Sequence, residues 1–165
     1  LNSLVKEKVN VVILPYNNQS YVTDFLSKLY KTHLDRKDSI IIIGMNAWTA
    51  YDNLDPEYLN GMTFHYPANS FVNYKDTTTI RFIHQYRTAF KTEPTDYVYD
   101  GYDITWYYAQ LLTNNGVRFS SVLPTNAGEG LNMRFRYVAS GVDSGFENLG
   151  VYILRYKDYT IIKAN

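Results

Sequence analysis

The stretch "VNVVILPYNNQSYVTDFLSKLYKTHLDRKDSIIIIG", residues 9 to 44, decides the fold. Val9 to Leu14 form an apolar, β-branched run closed by Pro15, which suits a parallel strand buried on both faces. Val22, Phe25, Leu26, Leu29 and Tyr30 then recur at helical spacing, with Ser20 expected as the N-cap and the polar "DRKD" closing the helix. Ser39 to Gly44 is a second all-apolar strand of the same type. Strand, helix and strand in so short a span make a βαβ unit with a right-handed crossover, so the fold class is α/β with a parallel sheet.

Working outward, "MNAWTAYDNLDPEYLNG" (45–61) reads as a loop followed by a short helical turn, with Asp55 as N-cap and Pro56 at the first helical position. "MTFHYP" (62–67) is a third strand ending at Pro67, and "ANSFVNYKD" (68–76) has no period and reads as a connector. Ile80, Ile83, Tyr86 and Phe90 share one side of a helix that Asp76 caps and that ends before Pro94. A further helix is expected from about Asp100 to Asn114, with Tyr102, Trp106 and Ala109 as its packing stripe. The rest is β-rich: "SSVLPTNAGEG" reads as a loop, and "LNMRFRYVA" alternates with Met133, Phe135 and Tyr137 on one face. "SGVDSGFENLG" reads as a connector, and "VYILRYKDYTIIKAN" as two strands around a Lys157-Asp158 turn. On the near side, Leu1, Leu4 and Val5 read as the last turns of a helix, which makes the chain a piece of a longer one.

Composition narrows the function classes. Sixteen basic residues balance sixteen acidic ones, so no net field draws in nucleic acid or an anionic membrane. The absence of cysteine removes disulfides, thiolate metal sites and a cysteine nucleophile. His33, His65 and His84 have no neighbour at ligand spacing, so neither a metal nor a cofactor is expected. No Walker, GxGxxG or GxSxG sequence occurs. Carboxylates cluster at Asp52, Asp55 and Glu57 and at Asp96, Asp100 and Asp103, the residue types of a glycosidase pair. Helix starts account for them better: Asp55 caps a turn, and Asp100 or Asp103 sits where a helix N-terminus favours negative charge. Arg134 and Arg136 are expected on a solvated strand face, and Asn18-Gln19-Ser20 matches a glycosylation triplet of a kind that arises readily by chance.

In open parallel sheets ligands bind beyond the carboxyl ends of the strands. Those loops carry Tyr16, Asn17, Asn18, Gln19 and Ser20; Met45, Asn46 and Trp48; and Tyr66 with Asn69. Aromatic rings beside amides and hydroxyls suit a small polar ligand held by stacking and hydrogen bonds, although loop amides also serve to satisfy turns. Tyr16 to Ser20, Asn46, Trp48 and Tyr66 are the candidate ligand-binding residues.

The order of "NVVILPYNNQSYVTDFLSKL", "IIIIGMNAW" and "IRFIHQYRTAFKTEPTDYVYDGYDITWYYAQLL" resembles the second half of type I periplasmic binding proteins, the branched-chain amino acid receptor family. In that family a phenylalanine-rich helix ends in a tyrosine-arginine segment, a proline follows, and "GYDA" opens the next helix; "QYRTAF", Pro94 and "GYD" stand in that order here. "GFENLGVYILRYKDYTIIKAN" is similar to the tail of envelope relatives that carry LysM modules. The resemblance implies a partial periplasmic-binding-protein-like fold with two α/β lobes and a ligand cleft between them. Residues 1–70 would belong to the second lobe, 71–116 would be helices of the first lobe, and 117–165 a β-rich tail returning to the lobes. It implies a non-catalytic, exported protein of the periplasm or cell envelope that binds an amino acid or similar ligand. Its partners would be an ABC permease or peptidoglycan and envelope proteins, the missing N-terminal part of its own chain, and a second copy through exposed helix faces. Tyr16 matches the family's aromatic in the loop after the first strand, whereas Asn46 lies in the loop where family members often carry an acid. A LysM-linked scaffold without a solute, and a carbohydrate-acting enzyme using Asp96 to Asp103, are the rival readings.

Overall fold

A computed structural model describes residues 4–142 and 144–164. The chain divides into two compact units, one of residues 1–68 with 152–165 and one of residues 69–151.

The first unit is built on a five-stranded sheet of order β1-β2-β3-β8-β9. Strands β1 (Val9–Ile13), β2 (Ser39–Ile43) and β3 (Phe64–Ala68) are parallel. β8 (Tyr152–Lys157) and β9 (Thr160–Lys163) add to β3 antiparallel. One face of the sheet carries the core: Ile40, Ile42, Phe64, Tyr66, Tyr152 and Leu154 are buried. Helix α1 (Gln19–Arg36) buries Val22, Leu26 and Leu29, part of the apolar stripe read from its sequence. Its N-cap is Asn18 rather than Ser20, because the Asn18 side chain accepts the Tyr21 N–H at 3.0 Å and so satisfies a donor at the helix start. Lys37 closes it in the left-handed region, returning its N–H to His33 O at 2.7 Å. The opposite sheet face is open at β1, so the expectation of burial on both faces fails there: Val9, Val11 and Ile13 are exposed.

Leu4 and Val5 are not helical. The Asn10 side chain accepts the Val5 N–H at 2.7 Å and donates to Val5 O and Lys8 O, which folds residues 5–10 into a turn before the strand. Leu1 lies outside the described residues. The Asp55 cap and Pro56 start of α2 (Pro56–Gly61) occur as read, with Asp55 accepting the Glu57 N–H at 2.9 Å. β3 runs through Pro67 to Ala68. Its ladder with β2 ends at His65, so the N–H that proline lacks is not required there. The β8–β9 turn is Asp158-Tyr159, one residue later than read. Both residues have positive φ, as a tight hairpin needs, and Asn60 accepts the Asp158 N–H at 2.9 Å.

The second unit holds α3 (Thr77–Phe90), capped by Asp76, and α4 (Asp96–Asn115). A 3₁₀ segment (Gly116–Thr125) and two small antiparallel pairs follow. These are β4 (Gly128–Glu129) with β5 (Arg134–Phe135), and β6 (Tyr137–Ala139) with β7 (Phe146–Asn148). α4 starts four residues before Asp100 and buries Tyr99, Asp103, Tyr107 and Leu111. The expected stripe of Tyr102, Trp106 and Ala109 is instead exposed. The helix turns its buried side toward Phe135, Leu123, Met133 and Tyr137, where Tyr107 stacks on Phe135 at 4.1 Å between centroids. On α3, Ile80 and Phe90 are exposed while Ile83 and Tyr86 are half-buried, so only part of the expected apolar side is covered.

Residues 120–125 belong to the 3₁₀ segment rather than a loop, and residues 146–148 are a strand rather than part of a connector. The alternation of Met133, Phe135 and Tyr137 holds, but the strand breaks at Arg136. There the Asn148 side chain accepts the Arg136 N–H and donates to Arg134 O, both at 2.8 Å, in place of a ladder partner. Arg134 is ion-paired with Glu129 at 3.5 Å and donates to Val151 O rather than standing free on a solvated face.

Candidate functional site

The carboxyl ends of β1 and β2 are held by side chains that reach across 30 or more residues of sequence. Trp48, in a 3₁₀ turn of Asn46–Ala50, donates its indole N–H to Tyr16 O at 2.8 Å. Tyr51 donates its hydroxyl to Asn17 O. Gln19 donates to the Asn53 side chain at 2.6 Å, and Thr23 reaches the same oxygen. The loop after β1 is thus fixed by side chains of the segment after β2, which bond both its backbone carbonyls and the side chains that follow it. Tyr51 and Asn53 escaped the sequence reading, since nothing about a lone tyrosine and asparagine in a loop distinguishes them.

The eight candidate residues fall into three groups. Trp48 and Tyr66 are buried, at 1% and 2% exposure, and both pack on Phe64, with centroid separations of 5.2 and 5.3 Å. Burial pushes the Tyr66 hydroxyl above its ordinary pKa. Gly44 leaves the space that Trp48 fills, since a Cβ there would stand 2.3 Å from the indole ring. Neither ring presents a face to solvent, and both serve as the floor beneath the loops. Asn18 is committed to capping α1 and Gln19 to Asn53. Tyr16, Asn17, Ser20 and Asn46 are exposed. The Tyr16 ring stands edge-on to Tyr21 at 5.1 Å, and the Asn17 and Asn46 carbonyls are occupied by Tyr51 and Thr49.

Asp103, a candidate for carboxylate chemistry, has another role. It is 1% exposed and accepts the backbone N–H groups of Leu131, Asn132 and Met133 at 2.7, 2.7 and 2.8 Å. Asp100 accepts the Asn132 side-chain amide at 2.7 Å. A Cβ on Gly130 would lie 2.2 Å from Asp103 Cγ, so the loop closes on the carboxylate only with glycine there. Buried and bonded to three backbone donors, Asp103 anchors a loop. The cue in the sequence was the pairing of an aspartate inside an aromatic helix with a distant "GEGLN" loop, which no local pattern joins. Among the described residues no group of three or more His, Asp or Glu side chains converges as a metal site would, and no helix is long and apolar enough to cross a membrane.

These elements define a mixed α/β chain with a sheet that is parallel on one side and antiparallel on the other. No family profile matches it, and no characterised protein matches it by sequence. Among solved structures it is similar to an ABC transporter substrate-binding protein from Desulfitobacterium hafniense in complex with Leu, at 17% identity and a TM-score of 0.48. The alignment covers 93% of this chain and 43% of that one, so the chain spans less than half the length of its neighbour.

Proposed function

We propose that the chain is part of an exported, non-catalytic solute-binding domain that takes a small polar ligand, an amino acid or similar molecule, on the loops beyond β1 and β2. The observation that carries this reading is the contrast within the loops. Their backbones are tied down by Trp48 and Tyr51, while Tyr16, Asn17, Ser20 and Asn46 keep exposed side chains. A rigid frame carrying one aromatic ring, two amides and a hydroxyl binds with little loss of conformational entropy. Tyr16 would stack on the ligand, with Asn17 and Asn46 as its hydrogen-bonding partners. Asn46 offers no negative charge, which favours a neutral polar group at that position over an ammonium.

The lack of a carboxylate at Asn46 also favours a second reading, a scaffold that contacts peptidoglycan or envelope proteins without a solute. Thermal shift of the intact chain against amino acids, nucleosides and muropeptides separates the two. Solute binding predicts stabilisation by at least one compound that disappears in Tyr16→Ala and Asn46→Ala, while the melting temperature without ligand stays unchanged. No response to any compound, with retention on insoluble peptidoglycan, selects the scaffold. Silence in both assays rejects both readings.

A further inference from the structure

Two aromatic rings form a corner at the candidate loops. Tyr16, in the loop after β1, and Tyr21, in the first turn of α1, meet nearly at right angles, with centroids 5.1 Å apart and an interplanar angle of 81°. Both rings are about half exposed, at 49% and 52%. Phe25 follows one turn along α1 and lies parallel to Tyr21, at 6.4 Å and 8°, so the Tyr21 ring is backed by a second ring. Two ring faces at a right angle present their electron-rich sides to one point, and a positive charge placed there is within reach of both.

The surrounding chain has the sign of charge that such a corner needs. Residues 9–27 and 39–64, which supply both loops and the helix starts beside them, contain no lysine, arginine or histidine, but they contain Asp24, Asp52, Asp55 and Glu57. Asp24 is paired with Lys28 at 2.7 Å. Asp52 is exposed and stands between Tyr51 and Asn53, the residues that bond to Asn17 and Gln19. It thereby opposes the partial positive charge at the start of α1. An ammonium carrying N–H groups would also need acceptors, and the carbonyls of these loops already serve the protein: Tyr16 O accepts from Trp48, Asn17 O from Tyr51 and Asn46 O from Thr49. A cation that donates no hydrogen bond needs only the ring faces.

Building on the solute-binding reading above, we propose that the ligand is a small quaternary ammonium compound. Its alkylated nitrogen sits in the Tyr16–Tyr21 corner, and its polar end bonds the side-chain amides of Asn17 and Asn46. Tyr21 is then a specificity-determining residue, since it adds the second face that selects a cation over a neutral group of the same shape.

Choline is the probe, and the control is the uncharged alcohol in which carbon replaces its nitrogen. Calorimetric titration of the intact chain should show choline bound at least about tenfold more tightly than that alcohol. Tyr21→Leu should weaken choline binding about tenfold, while Tyr21→Phe, which keeps the ring, should hold it within about threefold. Should Tyr21→Leu fail to fold, Tyr16→Leu tests the other wall of the corner. Asn46→Asp should admit ethanolamine, a primary ammonium that the unmodified chain refuses, because it restores a charged acceptor. Equal binding of choline and the alcohol overturns the proposal, as does choline binding that survives both leucine variants. Binding of an amino acid or nucleoside through Tyr16 and Asn46, with none of choline, overturns this inference and leaves the solute-binding reading standing. Silence toward every compound removes both.

Discussion

The two units of this chain are stabilised in different ways. The sheet unit buries a mainly apolar set, in which Trp48, Phe64 and Tyr66 stack beneath the loops and α1 presses Val22, Leu26 and Leu29 inward. The helical unit is organised around polar groups that have left water: Asp103 with three backbone donors, Tyr107 donating to Asn126 O at 2.6 Å, and Tyr108 donating to Tyr137 at 2.7 Å. Apolar packing tolerates replacement in proportion to the volume lost. A buried hydrogen-bonded charge fails all at once when one side is removed.

That difference can be broken first at Asp103. Asp103→Ala leaves three N–H groups unsatisfied and should cost about 3–5 kcal/mol. Asp103→Asn should recover only part of it, because an amide has a single acceptor oxygen for three donors. Urea unfolding followed by Trp106 fluorescence reads the loss in this unit, in a Trp48→Phe background that removes the other indole. A loss for Asp103→Ala no larger than that of an exposed aspartate would remove the distinction between the units.

In the sheet unit, Trp48→Ala should cost about 3–5 kcal/mol through the cavity it leaves, with Trp48→Phe recovering much of it. This graded recovery, read by thermal melting, is the signature expected of apolar packing. Gly44→Ala sharpens the same point from the other side. Its methyl group would press on a ring that has no room to retreat, at about 1–3 kcal/mol. Below these comes Asn18→Ala, which removes the α1 cap and should cost about 1 kcal/mol.

The smallest effect at neutral pH is the most diagnostic in alkali. Burial raises the hydroxyl pKa of Tyr107, of Tyr99 and, most of all, of Tyr137, where the bond from Tyr108 adds to it. A folded pKa above the unfolded value of about 10 favours the neutral phenol in the native state. The stabilisation is therefore complete below about pH 10 and is lost as the pH rises through the folded values. Phenolate absorbance should rise together with loss of helical circular dichroism, and Tyr137→Phe should move that transition to higher pH.

The same contrast marks what could be read in the sequence. Period and caps gave β1, α1, β2, α2, β3 and α3, because continuous apolar runs, helical spacing, and Asp55 and Asp76 act locally. The caps of α1 and the face of α4 were missed for opposite reasons. Asn18 and Ser20 are both good caps, and the choice shows only in the bond that the Asn18 side chain accepts from the Tyr21 N–H. On α4, aromatic residues cover so much of the helix that Tyr102 and Trp106 score as well as Tyr99 and Tyr107. Its buried side is instead set by Asp103, whose partners lie at 131–133. Of the candidate site, the loops were legible from strand order, but the division of labour within them was not. Trp48 resembles a stacking platform until Gly44 and Phe64 show that it fills a space between them.

The division of the chain at residues 68 and 152 has a consequence for the order of folding. The helical unit is one continuous stretch, so its Asp103 loop and aromatic cluster can close as soon as residue 151 is available. The sheet unit cannot finish then, because β8 must still add to β3, with Tyr152 opposite Ala68. During synthesis β3 waits with one edge unpaired while the whole second unit emerges. Completing it closes a loop of more than 80 residues, the kind of non-local contact that slows folding. A nascent chain stalled before residue 152 should therefore protect the Asp103 loop from proteolysis and leave β1 to β3 open to it.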